Sequence, residues 1–194
     1  MHIADGILPN VWCGAAHAAS WGALYVLGRR VDTEEVVRLG MLASLSFVVS
    51  LIHFPLGGTS VHLGLYGLTG ILAGRRAFPV IFAALLFQTM LFQHGGLLTL
   101  GVNALNMGAG ALVAAALWRS GVGPQPVRAF LSGAVGIIVP ALLIASQFAL
   151  ADYGKGFFYA SALYLGAAAA EGVLTAVIIA FLREAKPALL HVRL

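Results

Sequence analysis

The sequence predicts an all-α integral membrane protein with about seven transmembrane helices, and its composition and the spacing of its apolar runs lead to this fold class. Hydrophobic residues make up 60% of the 194 residues and charged residues only 9%, with a mean hydropathy of +0.95. An ordinary soluble domain carries about 25% charged residues. A helix needs roughly 20 apolar residues to cross about 30 Å of hydrocarbon, so 194 residues have room for about six or seven spans. Residues 1–194 are therefore predicted to form a single membrane domain.

Seven apolar segments separated by polar loops account for the predicted helices. Loops that hold two or three Lys or Arg residues alternate with loops that hold none or one. Under the positive-inside rule this alternation places the amino terminus outside and the carboxy terminus in the cytoplasm. The segments span residues 9–28, 35–54, 61–74, 77–93, 102–118, 128–151 and 157–182.

The third segment is too short to cross the membrane as one helix. Residues 61–74 would reach about 21 Å at 1.5 Å per residue, which is less than the hydrocarbon thickness. The preceding loop contains Pro55 and the pair Gly57-Gly58, and these residues disfavour regular helix. Irregular backbone is tolerated at membrane depth where it is buried in protein or lines a polar cavity. We therefore predict a re-entrant outer loop that presents His62 at the top of a broken third helix.

The first two residues of the chain can chelate a metal ion. No Lys or Arg precedes Arg29, so no secretory leader is predicted, and a free amino terminus is expected in the mature protein. The Met1 α-amine, the His2 backbone amide and the His2 imidazole can close two fused chelate rings on one metal. These groups supply three nitrogens and leave a fourth position open.

His62 is the predicted fourth ligand, because its loop lies on the same side of the membrane as the amino terminus. Four nitrogens that include an amide favour a square-planar Ni(II) or Cu(II) site. The lack of thiolates argues against a closed structural zinc site. The alternative role for His62 is a hydrogen bond to a loop carbonyl.

Three polar residues near the start of the fifth segment are further candidates. Asn103 and Asn106 could hydrogen-bond to the His62 loop and orient its imidazole, or they could cap the start of the fifth helix. His94 could be a transient metal ligand at the mouth of the site, or a loop histidine that faces water. The sequence leaves these alternatives open.

Glu171 is a further candidate because it lies near the middle of the seventh segment. An ionisable side chain is costly there and is by default a functional candidate, for example on the path of the metal. Alternatively, Glu171 is a protonated or hydrogen-bonded group that ties helices together through Gln88 or Gln147.

Two other functions are compatible with a chain that crosses the membrane several times. An intramembrane hydrolase could use Ser60 and His62, but the chain has no GxSxG nucleophile elbow, and Ser60 is otherwise a candidate on the metal path. A metal-independent channel or solute carrier could line its pore with the glycine-rich outer loops. That function would leave the Met1-His2 terminus without a role.

Several motifs of the chain are similar to those of one family. Over essentially its full length the chain resembles the substrate-binding membrane subunit of energy-coupling-factor cobalt and nickel importers, called CbiM or NikM. Ala4 and Tyr164 depart from the family pattern, and Tyr164 puts in doubt a His and Glu pair in the last helix. The motifs are residues 1–6 (MHIADG), 58–64 (GTSVHLG), 94–96 (HGG), 103–108 (NALNMG) and 171–172 (EG).

The resemblance implies a site and an assembly. Met1, His2 and His62 would bind transported Ni(II) or Co(II), and residues 1–8 would enter the bundle from outside. The implied partners are a transmembrane coupling subunit, cytoplasmic ATP-binding subunits and, in some systems, a small accessory membrane subunit. The chain has no GxxxxGK[ST] pattern, so it is expected to be a transport subunit rather than an enzyme. Its predicted location is the cell membrane of a prokaryote, with no prosthetic group and no nucleic-acid partner.

Overall fold

A computed structural model describes residues 2–56, 59–152 and 157–190 of the chain. In these ranges seven α-helices follow one another, together with one β-hairpin. The predicted helical class is confirmed. The elements are α1 (Asn10–Gly28), α2 (Thr33–Ser50), β1 (His53–Leu56), β2 (Thr59–His62), α3 (Tyr66–Ala73), α4 (Ala77–Phe92), α5 (Leu100–Arg119), α6 (Gln125–Leu150) and α7 (Phe157–Ala185).

The β-hairpin between α2 and α3 corrects the all-α prediction. β1 pairs with β2 in the antiparallel direction. Pro55 has no backbone N–H and pushes the residue before it towards extended backbone, which suits a strand and disfavours helix. The third helix begins at Tyr66 rather than at residue 61, so His62 ends a strand and does not lie on top of a helix. The glycine pair of the predicted re-entrant loop, residues 57–58, lies outside the described residues.

The chain turns back on itself between α3 and α4. The Ser46 and Thr69 hydroxyl oxygens lie 3.2 Å apart and join α2 to α3. Gln88 Nε2 donates to Ser50 Oγ at 2.7 Å and joins the last turns of α4 and α2. The link between α3 and α4 is a single 3₁₀ turn, Gly74–Arg76, whose first residue has a φ of 54° that favours glycine. The chain therefore runs in one direction through α3 and in the opposite direction through α4.

A buried guanidinium closes this turn. Arg76 Nη1 donates to the carbonyl oxygens of Leu27 at 2.5 Å and Arg29 at 2.7 Å. Its Nη2 donates to Arg30 O at 3.0 Å, and its Nε donates to Glu35 Oε1 at 3.2 Å. These contacts join the end of α1 to the starts of α2 and α4, so α2 and α4 run parallel. We name this part of the bundle the arginine end.

The core of the bundle lies around α5, which packs against α1, α3, α4 and α6. Every residue of the short helix α3 is buried, as expected for a helix that is apolar all round. Two glycines allow its backbone to approach its neighbours closely. A Cβ atom on Gly70 would overlap the backbone of Ala111 in α5, and one on Gly67 would overlap the backbone of Ser132 in α6. Such small residues drive helix packing in membranes.

The apolar surface of the bundle fits a lipid environment. Large apolar side chains remain exposed on several helices, including Val11 on α1 and Val177 on α7. By length and composition alone, four stretches of the described residues could cross a membrane. The first of them runs through α3 and α4 and includes the turn Gly74–Arg76 between these two helices. Seven crossings and the orientation of the termini stay predictions. The four stretches are Tyr66–Phe92, Leu100–Arg119, Gln125–Leu150 and Tyr164–Ala185.

Candidate metal site

Three imidazoles from distant parts of the chain meet at the end of the bundle opposite the arginine end. His2 precedes α1, His62 ends β2, and His94 follows α4. Each offers one ring nitrogen that lies within 4.8 Å of the other two. The His2 and His62 rings are stacked with centroids 4.9 Å apart, and the His94 ring stands edge-on to them at 4.5 Å and 5.2 Å. We name these three residues the histidine cluster.

The backbone next to His2 is fixed by hydrogen bonds from the start of α5. Ile3 N donates to Asn103 Oδ1 at 2.9 Å, and Asn103 Nδ2 donates back to Ile3 O at 2.9 Å. Thr99 Oγ1 also donates to Ile3 O, at 2.7 Å. The Ile3 side chain is completely buried in the core. The amino-terminal segment is therefore anchored one residue after His2, by polar contacts on its backbone and by an apolar side chain.

Asp5 forms a second anchor of the same segment. Its carboxylate accepts hydrogen bonds from the backbone amides of Leu98 at 3.2 Å and Thr99 at 2.9 Å. These amides lie just before α5, where no residue of that helix supplies a side-chain cap. A carboxylate is favourable at this position because the amino end of a helix carries partial positive charge. Gly96 leaves room for this contact, since a Cβ atom there would overlap the Asp5 side chain.

His62 is the buried member of the histidine cluster. Its Nδ1 lies 3.1 Å from the carbonyl oxygen of Leu63. A carbonyl only accepts hydrogen bonds, so this contact assigns the proton to Nδ1 and leaves the lone pair on Nε2. A metal-binding histidine is usually oriented in this way by a hydrogen bond on its other nitrogen.

The two asparagines of α5 have different neighbours. Asn103 bonds to Ile3 next to His2, whereas Asn106 makes a reciprocal amide pair with Gln147 in α6, at 2.8 Å and 2.9 Å. The structure thus brings Asn103 to the amino-terminal segment rather than to the His62 loop. It places Asn106 between two helices.

Glu171 lies in α7 and outside the histidine cluster. Its Oε1 accepts hydrogen bonds from the backbone amides of Gly64 at 2.5 Å and Leu65 at 2.9 Å, just before α3. Glu171 therefore ties two parts of the chain together through backbone amides rather than through Gln88 or Gln147.

The structure does not describe the side chains of two predicted site residues. Met1 lies outside the described residues, and so does the side chain of Ser60. Conversely, sequence reasoning did not single out Asp5 or Thr99. Both could have been found from their positions, because Thr99 immediately precedes a helix and Asp5 belongs to the polar segment beside His2.

The helical bundle and the histidine cluster together define an integral membrane protein with a candidate transition-metal site. The chain belongs to the CbiM family, the cobalt uptake substrate-specific transmembrane region, which matches residues 2–189. Relatives of the chain are named as nickel and cobalt transport proteins.

Several relatives have a similar sequence or structure. The fused nickel transport protein NikMN of Rhodobacter capsulatus is 32% identical over 100% of this chain, which spans 65% of that relative's length. The cobalt transport protein CbiM of Roseiflexus sp. is 35% identical over 92% of this chain and 80% of its own. The crystal structure of a truncated transition metal transporter superposes with a TM-score of 0.84 and 26% identity, over 95% of this chain and 99% of that one.

Proposed function

We propose that this chain captures Ni(II) or Co(II) as the substrate-binding subunit of an ATP-driven energy-coupling-factor importer. The observation that carries the proposal is the meeting of His2, His62 and His94 at one end of an apolar helical bundle. Imidazole nitrogens suit nickel, copper, zinc and iron better than magnesium or calcium. The relatives named as nickel and cobalt transport proteins narrow the choice of metal.

The proposed ligand set begins at the amino terminus. The Met1 α-amine and the amide and imidazole nitrogens of His2 form the chelate, and His62 Nε2 is the fourth ligand. Metal–nitrogen bonds of about 2 Å keep two donors at most about 4 Å apart on one ion. The ring nitrogens of the histidine cluster lie within 4.8 Å of one another. In the proposed square, His2 and His62 would occupy neighbouring corners about 2.8 Å apart, so a metal ion would draw their nitrogens together by no more than about 2 Å. His94 is only partly buried, and we assign it to transient capture at the mouth of the site.

The coordination geometry favours nickel over cobalt. A chelate that includes a backbone amide is planar, and a single imidazole completes the square. Square-planar nitrogen coordination is typical of Ni(II) and Cu(II). Cobalt remains the second candidate, because the family name and several relatives refer to cobalt.

The wider assembly is part of the proposal. Seven crossings would place the amino terminus and the histidine cluster outside and the arginine end in the cytoplasm of a prokaryotic cell. A transmembrane coupling subunit and cytoplasmic ATP-binding subunits would drive inward release, with or without a small accessory membrane subunit. The exposed apolar face of α7, which includes Val173, Val177 and Phe181, offers surface for lipid or for a membrane partner.

Titration calorimetry with Ni(II) and Co(II) tests the metal site. The protein is purified in detergent with a tag at the carboxy terminus only, so that the α-amine stays free. We compare the native chain with His62→Ala and with a chain that carries one extra residue before Met1. We expect tight one-to-one binding by the native chain. In both variants we expect a loss beyond the roughly 100-fold that removal of an outer supporting group causes.

Two outcomes would contradict the proposal. If the native chain binds neither metal, or if both variants bind as tightly as the native chain, the metal-independent channel or solute carrier becomes the better reading. The importer itself is tested by uptake of ⁶³Ni into membrane vesicles that contain this chain with its coupling and ATP-binding partners. Uptake that proceeds at the same rate without ATP would contradict the ATP-driven role.

A further inference from the structure

We infer that Glu171 is a positioning residue for the metal site, and that it holds His62 in place by capping the start of α3 from the neighbouring helix α7. The inference rests on the proposed function, since it assigns a role to a group that supports one of the proposed ligands. Glu171 itself is not among the proposed ligands.

The contact between Glu171 and the backbone lies close to His62 in sequence. Glu171 Oε1 accepts from Gly64 N at 2.5 Å and from Leu65 N at 2.9 Å, two and three residues after His62. Glu171 is completely buried. Amide groups at the start of a helix have no partner within the helix, and burying them without an acceptor is costly. The carboxylate therefore supplies an acceptor that fixes these two peptide groups relative to α7.

The local sequence offers no substitute for this cap. The residue before α3 is Leu65, which has no side-chain acceptor, and α3 shows no side-chain cap of its own. Leu65 also adopts a φ of 51°, in the left-handed region that a leucine disfavours. A strained conformation of this kind persists only when its surroundings hold it. The hydrogen bond from Leu65 N to Glu171 is one such constraint.

An aromatic ring also lies against this segment. A Cβ atom on Gly64 would overlap the ring of Tyr66, so the ring lies against the Gly64 backbone. Gly64 thus contacts both the Tyr66 ring and the Glu171 carboxylate. A displacement of Gly64 is passed to His62 through Leu63, whose carbonyl oxygen is the partner of His62 Nδ1.

The second carboxylate oxygen takes no part in the two hydrogen bonds of the cap. Glu171 Oε2 is buried and makes no hydrogen bond within the described part of the chain, and the same is true of the hydroxyls of Tyr66, Ser132 and Thr175. Gly133 of α6 packs against the Glu171 carbonyl and the Thr175 hydroxyl. The cap needs one acceptor oxygen, which glutamine also provides.

A double-mutant cycle with Ni(II) calorimetry tests the inference on the full chain with a free amino terminus. The proteins are native, Glu171→Ala, His62→Ala and the double variant, with Glu171→Gln and Thr175→Ala as matched controls. We expect Glu171→Ala to weaken nickel binding about 10-fold to 100-fold, the usual range for a group that supports a metal-binding histidine. We expect Glu171→Gln to restore most of the affinity and Thr175→Ala to change it by no more than about twofold. In the His62→Ala background, Glu171→Ala should cause no further loss.

The cycle separates a positioning role from a general structural role. If Glu171→Ala lowers affinity by the same factor with and without His62, or leaves native affinity unchanged, the inference is overturned. If Glu171→Ala does not fold, the nickel affinities of Glu171→Asp and Glu171→Gln test the inference instead. Asp retracts the acceptor by one methylene and should weaken binding more than Gln, and the opposite order would contradict the capping role. Failure of the proposed function gives a different result. The native protein would then bind no nickel, or His62→Ala would bind nickel as tightly as the native protein.

Discussion

The two ends of the bundle show two different uses of polar side chains beside an apolar core. At the arginine end, Arg76 donates to three backbone carbonyls and to Glu35. The cation and its partners form a closed set that ties three helices together. The opposite end of the bundle, which holds the histidine cluster, is the histidine end. There Asn103 bonds to the backbone of Ile3, and Asp5 accepts from the backbone amides of Leu98 and Thr99. The polar groups around Arg76 thus satisfy one another, whereas those at the histidine end fix the backbone around three imidazoles whose ring nitrogens converge.

Helix α4 connects these two ends. It starts beside Arg76 and ends just before His94, and its 16 residues extend about 24 Å at 1.5 Å per residue. Substitutions at one end can therefore be used as controls for substitutions at the other. The largest expected contrast is between His62 and Arg76.

His62→Ala should abolish tight metal binding and leave the fold almost unchanged. It removes a proposed ligand, while the neighbours of His62 keep their contacts in the strand and with Glu171. We expect the nickel affinity to fall by more than about 100-fold, while the melting temperature of the metal-free protein in detergent stays close to the native value. A large drop in that temperature would show that His62 mainly supports the fold.

Arg76→Ala should have the opposite effect. It leaves three carbonyl groups without their buried donor and leaves Glu35 with Arg38 alone, at 4.0 Å. Breaking a buried ion pair costs about 3–5 kcal/mol, which is an upper value here because Glu35 is partly exposed. We expect a strong loss of thermal stability, with near-native nickel affinity for the fraction that folds. Arg75→Ala is the matched control, because this neighbouring cation is exposed and its removal should change stability little. Equal effects at the two positions would contradict the closed set of contacts at Arg76.

Asn103 and Asn106 give a sharper version of the same comparison on one helix. Each makes two amide hydrogen bonds, Asn103 with Ile3 and Asn106 with Gln147. Replacing either by alanine should cost about 1–3 kcal/mol of stability, because buried partners lose their bonds. Only Asn103→Ala should also weaken nickel binding, by about tenfold. Parallel melting curves and calorimetry test this, and equal affinity losses would contradict the anchoring role of Asn103.

The separate roles of Asn103 and Asn106 could not be predicted from the sequence. The two asparagines lie three residues apart in one motif, and both could be assigned to orienting a loop or to capping a helix. Their roles depend on which segment packs against each of them. That depends on the path of residues 2–5 and on the position of α6, and local sequence does not determine either.

The helices themselves were easier to predict than the hairpin. Apolar runs bounded by charged loops placed most helix ends within a few residues, since burial in lipid demands long apolar segments. Residues 53–54 are predicted as a helix end, residues 55–60 as a re-entrant loop and residues 61–62 as the start of the third helix, whereas the structure has a hairpin there. Two glycines between apolar runs are also a hairpin signal, and that signal competes with the hydropathy pattern. The predicted grouping of Met1, His2 and His62 came from chelate chemistry, and its ligand roles stay a prediction.

Asp5→Ala should produce a moderate effect at the histidine end. It removes the acceptor for two amides at the start of α5, and loss of such a cap costs about 1 kcal/mol. The amino-terminal segment would keep its Ile3 anchors, so we expect nickel affinity to fall by about fivefold, which corresponds to about 1 kcal/mol. Asp5→Asn, which keeps an acceptor oxygen, should lie between alanine and native protein in calorimetry. An unchanged affinity in Asp5→Ala would show that the Ile3 contacts alone hold the segment.

His94→Ala should give the smallest effect on affinity and a clearer effect on rate. If His94 receives the metal before the chelate closes, its loss slows association more than it weakens the final complex, and we expect an affinity loss below about fivefold, or less than about 1 kcal/mol. Stopped-flow mixing with nickel measures the association rate. His17→Ala is the control, because His17 Nε2 contacts the carbonyl oxygens of Leu97 and Leu98 in the same loop but lies outside the histidine cluster. A loss in His94→Ala as large as that in His62→Ala would make His94 a permanent ligand, and the square-planar assignment would then have to change.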